Sequence, residues 1–286
     1  MNVLEISIDS EPVDYGRWRL YPIGDPHLDA AATDRKRLEQ YIAHIAADPH
    51  AIWICVGDLL DGTSPHHRWF EVQAVDRDIL LNMDKYVSYC LLELEAVFAP
   101  LRGIPGVMLQ GNHDIRQGGT LWSGLAWELA RRIGAQYGGD ECLIRVSAST
   151  VQSRGNAITK IHAFHGAGGG LLPGGKLNRH VRDMSQLCDA DIYVRGHVHD
   201  SMCRIQPIYS CNIKGKARLQ TRYKAFITAP AFWPTRKEGL NNYASRKGYP
   251  PSDPGLVYLE RHNPNGGCQT DGSRHDGKIY RKECPF

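Results

Sequence analysis

The sequence predicts a layered α/β domain whose second sheet is partly antiparallel. Three observations carry this. Residues 51–56, Ala-Ile-Trp-Ile-Cys-Val, form an unbroken apolar run of strand length, as expected of a strand covered on both faces. Between residues 19 and 195 such runs alternate with segments of helical spacing. Beyond residue 200 the runs are β-like and are interrupted by Pro and Gly rather than by helices.

Taken in order, residues 19–24 (Arg-Leu-Tyr-Pro-Ile-Gly) read as a short strand ending at Asp25. Residues 34–47 carry apolar side chains at helical spacing (Leu38, Tyr41, Ile42, Ile45), with Asp34 as N-cap and Asp48-Pro49 as the stop. Residue 57 is a Gly, and Asp58 follows the 51–56 strand directly. Residues 68–98 read as one long helix or two consecutive ones. Residues 105–109 are a strand ending at Gly111-Asn112-His113-Asp114, and residues 120–133 an amphipathic helix. Strands are expected at 142–146 and at 158–164, the latter ending at His165, followed by a helix at 177–187. The strand at 191–195 ends at Gly196-His197-Val198-His199, and β-like runs follow at 202–209, 223–228 and 256–259. One domain is expected over residues 1–262, with a loosely ordered, Gly-rich, basic tail over 263–286.

Composition narrows the function classes. At 286 residues, 42% hydrophobic and 23% charged, the chain has the make-up of a globular protein. No apolar run approaches the ~18 residues that span a bilayer, which argues against a membrane partner. The N-terminal stretch is acidic and has no basic segment, which argues against a secretory signal and for a cytoplasmic protein. The eight Cys are scattered without a CxxC and read as free thiols. The net charge of +3 hides a split. Residues 201–286 hold 15 Lys and Arg against 6 Asp and Glu, so the first 200 residues are net acidic. Tyr223, Phe226, Phe232, Trp233, Tyr243 and Tyr249 are interleaved with these cations, a pattern that fits nucleic-acid contact or an ordinary basic surface over an aromatic core.

The chemistry is concentrated at strand ends. Asp25-Pro26-His27, Gly57-Asp58, Asn112-His113, His165 and His197-Val198-His199 each follow an expected strand. Open α/β sheets bind ligands at the carboxyl ends of their strands, so these loops can converge. Imidazole with carboxylate and amide oxygen suits borderline divalent ions such as Mn, Fe or Zn, and the absence of thiolate argues against a structural zinc site. The number of donors exceeds one ion and suits a pair sharing a carboxylate, the arrangement that clamps both oxygens of a phosphoryl displacement.

In this order, D-x-H, G-D, G-N-H-D, a lone H and G-H-x-H resemble the calcineurin-like metallophosphoesterase superfamily over Asp25 to His199. The resemblance implies two facing mixed sheets flanked by helices, in four α/β/β/α layers. It implies that Asp25, His27 and His199 hold one metal, that Asn112, His165 and His197 hold the second, and that Asp58 bridges them. Two divalent ions are implied, Mn²⁺ foremost, with Fe, Zn or Ni as alternatives, and a hydroxide between them as nucleophile. His113 would face the scissile phosphate as acid, with Asp61 orienting its ring. Members that are protein phosphatases read G-D-x-V-D-R-G and G-N-H-E. Here Gly57-Asp58-Leu59-Leu60-Asp61-Gly62 lacks the Arg and Asp114 replaces the Glu, which favours the phosphodiesterase and nuclease branches. A phosphomonoesterase on a small molecule or nucleotide is the alternative enzyme. A non-catalytic scaffold on the same fold is the alternative outside enzymes.

Around this set, the Gly-rich run 170–175 followed by Lys176 nearly matches a P-loop, but Leu177 stands where the Mg²⁺-binding hydroxyl belongs. The better reading is an active-site loop with Lys176, Arg179, His180 or Arg182 facing substrate phosphate. A solvated helix face is the alternative. His66, with His67, is a further candidate for substrate contact. Residues 243–251 and 255–259 are similar to tails of phage- and prophage-encoded members of the superfamily, which would place the protein in host cytoplasm.

Overall fold

In the computed structural model the described residues are 1–9, 18–62, 70–116, 124–149, 157–168, 172–211, 216–234, 256–261 and 279–283. Two six-stranded sheets face each other. One comprises β1 (Asn2–Asp9), β6 (Glu141–Ser149), β7 (Ala157–Phe164), β8 (Ile192–Arg195), β10 (Leu219–Thr228) and β9 (Met202–Cys211), in that spatial order. The other runs β12 (Ile279–Glu283), β11 (Val257–Arg261), β2 (Trp18–Ile23), β3 (Ala51–Cys55), β4 (Gly106–Leu109), β5 (Gln136–Gly139). Both sheets mix parallel and antiparallel pairs. The helices are α1 (Arg35–Ala46), α2 (Arg77–Leu81), α3 (Tyr86–Phe98), α4 (Asn112–Arg116), α5 (Leu125–Ile133) and α6 (Pro173–Leu187).

Side-chain alternation along β3 explains the layering. Ile52 and Ile54 point into the inter-sheet core with Val56, against Val146, Ile161, Val194 and Ile227. Ala51, Trp53 and Cys55 point the other way, among Leu38, Ile42, Leu94, Phe98 and Leu129 of α1, α3 and α5. A smaller cluster of Met184, Tyr193 and Phe226 seats α6 on the outer face of the first sheet. The result is the helix–sheet–sheet–helix sandwich that the sequence implied. Because β3 is buried on both faces, little room is left beside it. A Cβ at Gly106 would overlap the Trp53 indole, whose Nε1–H donates to the Ile104 carbonyl at 3.2 Å. Gly106→Ala is therefore expected to lower unfolding free energy by about 1–3 kcal/mol, the usual effect of overpacking, measured by urea titration.

Most elements lie where the sequence put them, and Asp34 caps α1 by accepting from the Arg37 amide at 3.1 Å. Four features differ. β1 and β5 were not anticipated; β1 is an edge strand with exposed positions on its outer face and so lacks a continuous apolar run. Within the expected 68–98 helical segment, residues 70–85 hold only short turns and the five-residue α2 ahead of α3, because the Asp76 carboxylate caps a fresh start at Asp78 and Ile79. Within the expected loose tail, Ile279–Glu283 pairs antiparallel with β11. Cys55, Cys90, Cys142, Cys188 and Cys203 are free thiols; Cys268 and Cys284 lie outside the described residues. Among the described residues no helix is long and apolar enough to cross a membrane.

Since β2, β3 and β4 are mutually parallel, and β7 is parallel to β8, the strand-end motifs within each sheet emerge at one edge.

Candidate metal centre

The loops after β2, β3, β4, β7 and β8 meet. The Asp58 Oδ2 lies 3.3 Å from His165 Nε2 and 4.0 Å from His27 Nε2. The Asp25 carboxylate lies 3.9 Å from His165 Nδ1 and 3.8 Å from His199 Nε2, and accepts from the His197 amide at 2.9 Å. Asn112 Oδ1 is 3.0 Å from His165 Nε2. Ligand atoms of Asp58, His165 and His197 fall close enough together to hold one ion, as do those of His27, Asp61 and His113. All seven expected metal ligands are thus brought to one place. The sequence grouped His27 with Asp25 and His199; the structure also puts its Nδ1 3.8 Å from Asp61.

Backbone conformation marks the same residues. Among the described residues, the non-glycine positions with positive φ are Asp25 (40°), His27 (42°), Asp58 (53°), His197 (68°) and His199 (52°). Such conformations cost about 1–3 kcal/mol each and persist where the surroundings over-determine them, as they do in functional sites. The fold holds the loops in place by close approach. Gly57 (φ 96°) abuts the backbone of Gly111, so the β3 and β4 loops touch without side chains between them.

Second-layer contacts orient the donors. His165 Nδ1–H donates to the Val56 carbonyl at 2.7 Å, which turns Nε2 toward Asp58 and Asn112. His113 Nδ1 faces Asp61 through both the backbone carbonyl (3.0 Å) and Oδ1 (3.2 Å), leaving Nε2 available. The His113 amide donates to Asp58 Oδ1 at 2.8 Å. Two buried carboxylates were given no role in the site from sequence, although Asp114 stands in the G-N-H-D motif. Asp114 accepts from the amides of Gly111 (2.7 Å), Asp58 (2.9 Å) and Leu59 (3.0 Å), tying the β3 loop to the β4 loop. Asp29 accepts from the amides of Asp61 (2.5 Å) and Gly62 (2.9 Å) and from the Tyr86 hydroxyl, which fixes the loop carrying Asp61. Their one sequence signal is an Asp beside a motif Asp or His, which an ordinary turn shares.

The electrostatics ask for cations. Burial would raise Asp58, but the hydrogen bond to His165 and the surrounding imidazoles hold it well below the usual carboxylate range. Burial opposes charge on His165, yet Asp58 and then Asp25 push its pKa up to about 9. His113 likewise rises to about 10 against burial, through Asp61 and Asp58. Burial lifts Asp25 to about 7, lowers His27 and His197 to about 4, and drives His199 well below its ordinary value. Asp25 Oδ1 and both ring nitrogens of His27 are buried without a hydrogen-bond partner. Buried polar atoms of this kind are costly unless satisfied. A hard-to-borderline divalent cation satisfies them, and the imidazole, carboxylate and amide donor set suits one.

The expected substrate contacts fare differently. Lys176 Nζ donates to the Val198 carbonyl (3.1 Å) and pairs with Asp200 (2.5 Å), so it braces the loop that carries His197 and His199. Arg179 and Arg182 both pair with Asp183 at the surface of α6, and Gly168 of the β7 loop sits against the Arg179 guanidinium. His180 is fully buried, edge-on to Phe226 and 3.3 Å from Thr228 Oγ1, which turns it away from any substrate. His66 lies outside the described residues. Trp233, read from sequence only as one aromatic among many, packs beside His27 and His199 with ring centroids at 5.2 and 5.5 Å.

A family model matches the greater part of the chain. The model of the calcineurin-like phosphoesterases matches residues 19–201. No curated protein matches the sequence. Among solved structures, a Streptococcus pneumoniae TIGR4 protein described as a predicted phosphoesterase shares 13% identity at a TM-score of 0.31, over 93% of this chain and 98% of that one. Nuclease MPE of Pseudomonas putida shares 15% identity at a TM-score of 0.33, over 74% of this chain and 73% of that one.

Proposed function

Because the chain belongs to the calcineurin-like phosphoesterase family, we propose that it is a metal-dependent hydrolase of phosphodiesters, in nucleic acid or nucleotides. The observation that carries the reading is the convergence of seven donors at five strand ends, with the half-buried His113 beside them and held by Asp61. Asp25, His27 and His199 would hold one divalent ion, Asn112, His165 and His197 the other, and Asp58 would serve both. Two bound ions supply a water nucleophile that is ionised near neutrality, together with charge to offset the pentacovalent phosphate. Mn²⁺ is the first candidate, ahead of Fe, Zn and Ni.

The remaining work falls to the chain. The Asp61 contacts to Nδ1 fix the His113 tautomer and favour its charged form, so that a proton stands at Nε2 for the leaving oxygen. Asp29 and Tyr86 keep the Asp61 loop in register with His113. Lys176, on the helix packed against the same sheet, holds the loop of His197 and His199. The diester preference is supported by Gly62 in place of the phosphate-binding Arg of the protein phosphatases. A nucleic-acid substrate is supported by the basic last third of the chain, and a reducing cytoplasmic setting by the free thiols.

With Mn²⁺ loaded, turnover of bis(p-nitrophenyl) phosphate is expected to exceed that of p-nitrophenyl phosphate. Turnover of the monoester alone would assign a phosphomonoesterase, and turnover of neither would assign a scaffold.

A further inference from the structure

Beyond the metal centre, the first sheet ends in a projection. β9 and β10 pair over ten residues each, Met202 with Thr228 through to Cys211 with Leu219. Only Ala225–Thr228 of β10 also pair with β8. Toward Leu219, β10 therefore has no sheet partner other than β9 among the described residues. An isolated two-stranded ribbon is marginal in water, so its length calls for a use.

Its side chains indicate one. Residues 201–228 contain six Lys and Arg and no Asp or Glu. Arg204, Lys216 and Arg218 are exposed, and Arg222 is half-buried on the same ribbon. Strand alternation puts Tyr209, Thr221 and Tyr223 on one face, continuous with Ile205, Ala225 and Ile227 of the core. Past the core that face is bare: Tyr209 is 66% exposed, Leu219 76% and Tyr223 37%. Tyr209 pairs with Thr221 and Tyr223 with Pro207, so the two rings are diagonal neighbours about 7–8 Å apart at the backbone. Arg204, Arg222 and Lys224 alternate onto the other face, where Lys224 pairs with Asp189. A narrow ribbon with aromatic rings on one face and cations of an acid-free run on the other matches a polyanion that carries flat bases and wraps the ribbon. A two-stranded ribbon is also narrow enough to enter a major groove.

We propose that this ribbon is a nucleic-acid-binding arm of the protein. The proposal rests on the phosphodiesterase reading for its substrate. The metal site lies at the Thr228 end of β10, where Phe232 meets Asp25, and the arm lies at the Leu219 end. Nine strand residues at about 3.3 Å separate them by roughly 30 Å, or about nine base-pair steps. The arm thus anchors a long substrate far from the bond cut, and short substrates gain nothing from it.

The test compares the full chain with K216A/R218A/R222A and with Y209S/Y223S. Binding of fluorescein-labelled 30-bp DNA, and of its single strand, is measured by anisotropy across salt, beside turnover of bis(p-nitrophenyl) phosphate. The basic triple variant is expected to bind DNA at least tenfold more weakly, with a slope of log K on log salt shallower by about 2–3. Both variants are expected to hydrolyse the small diester at the wild-type rate. Weakening by the Tyr pair for the single strand alone would place the bases on those rings. Unchanged DNA affinity in both variants would overturn the arm. So would a change of oligomeric state in place of DNA affinity, because it would assign the ribbon to a second copy of the chain. Should the triple variant misfold, R222A alone is expected to lose about one unit of slope. Absent small-diester turnover in the wild type would count against the hydrolase reading, whereas the anisotropy result reports on the arm by itself.

Discussion

His113→Ala is expected to lower kcat for a dialkyl or dinucleoside phosphodiester by about 10²–10⁴-fold while metal content stays at the wild-type level. The separation of the two effects follows from geometry. What His113 gives to the metal loop is its backbone: the amide donates to Asp58 Oδ1 at 2.8 Å, and alanine keeps that amide. What its ring gives is a proton at Nε2, with Nδ1 held between the carbonyl and carboxylate of Asp61. The demand for that proton depends on the leaving group. An alkoxide is a poor leaving group and needs protonation as the P–O bond breaks, whereas p-nitrophenolate departs without much help. The loss should accordingly be far smaller with bis(p-nitrophenyl) phosphate than with a dinucleoside substrate. Metal analysis and the two rates check this together. Loss of metal would give the ring a ligand role instead, and equal losses for both leaving groups would remove it as the acid.

Asp25, Asp58, Asn112, His165 and the two His of 197–199 were legible from sequence because short motifs directly follow strands of strong apolar pattern, and strand ends are where open sheets assemble sites. What surrounds them was not. Asp29 and Asp114 act through backbone amides of loops more than 30 residues away, and no local pattern announces such a partner. Positive φ at five non-glycine positions is invisible in a residue string, since Asp and His adopt it only under tertiary constraint. Lys176 was read as a phosphate contact because lysines after Gly-rich loops suit that role. Its long stem lets it reach the Val198 carbonyl instead, and only packing decides between the two. β1 and β5 escaped for a related reason: an edge strand half-covered by its neighbours carries no continuous apolar signal. The ribbon needed both levels. Its charge is legible in the sequence, but its projection appears only once β8 is seen to begin at Ile192, level with Ala225.

Asp114→Ala should be the most damaging single change outside the donors themselves. The carboxylate accepts three buried amides, Asp58 and Gly111 on Oδ2 and Leu59 on Oδ1. Burial and then the charge of Asp58 push its pKa up to about 6, against which those amides pull it down and favour the anion. Alanine would leave three donors without partners at about 1–3 kcal/mol each, a sum of the same order as the whole stability of a domain. It would also free the β3 loop to leave the β4 loop, and Asp58 sits at that junction at φ 53°. Metal binding and fold should therefore fail together, with Tm lowered by at least about 10 °C at a few degrees per kcal/mol. Asp114→Asn separates the two roles of the side chain. Its carbonyl can keep the Asp58 and Gly111 amides, but its NH₂ then faces the Leu59 amide, donor against donor. That variant should fold with a smaller fall in Tm and regain part of the loss when Mn²⁺ is added, because binding to the native state alone stabilises it. Thermal melts of both variants with and without Mn²⁺ make the comparison. An Asp114→Ala protein that melts like the wild type and retains its metal would show that the contact between Gly57 and Gly111 holds the loops without the carboxylate.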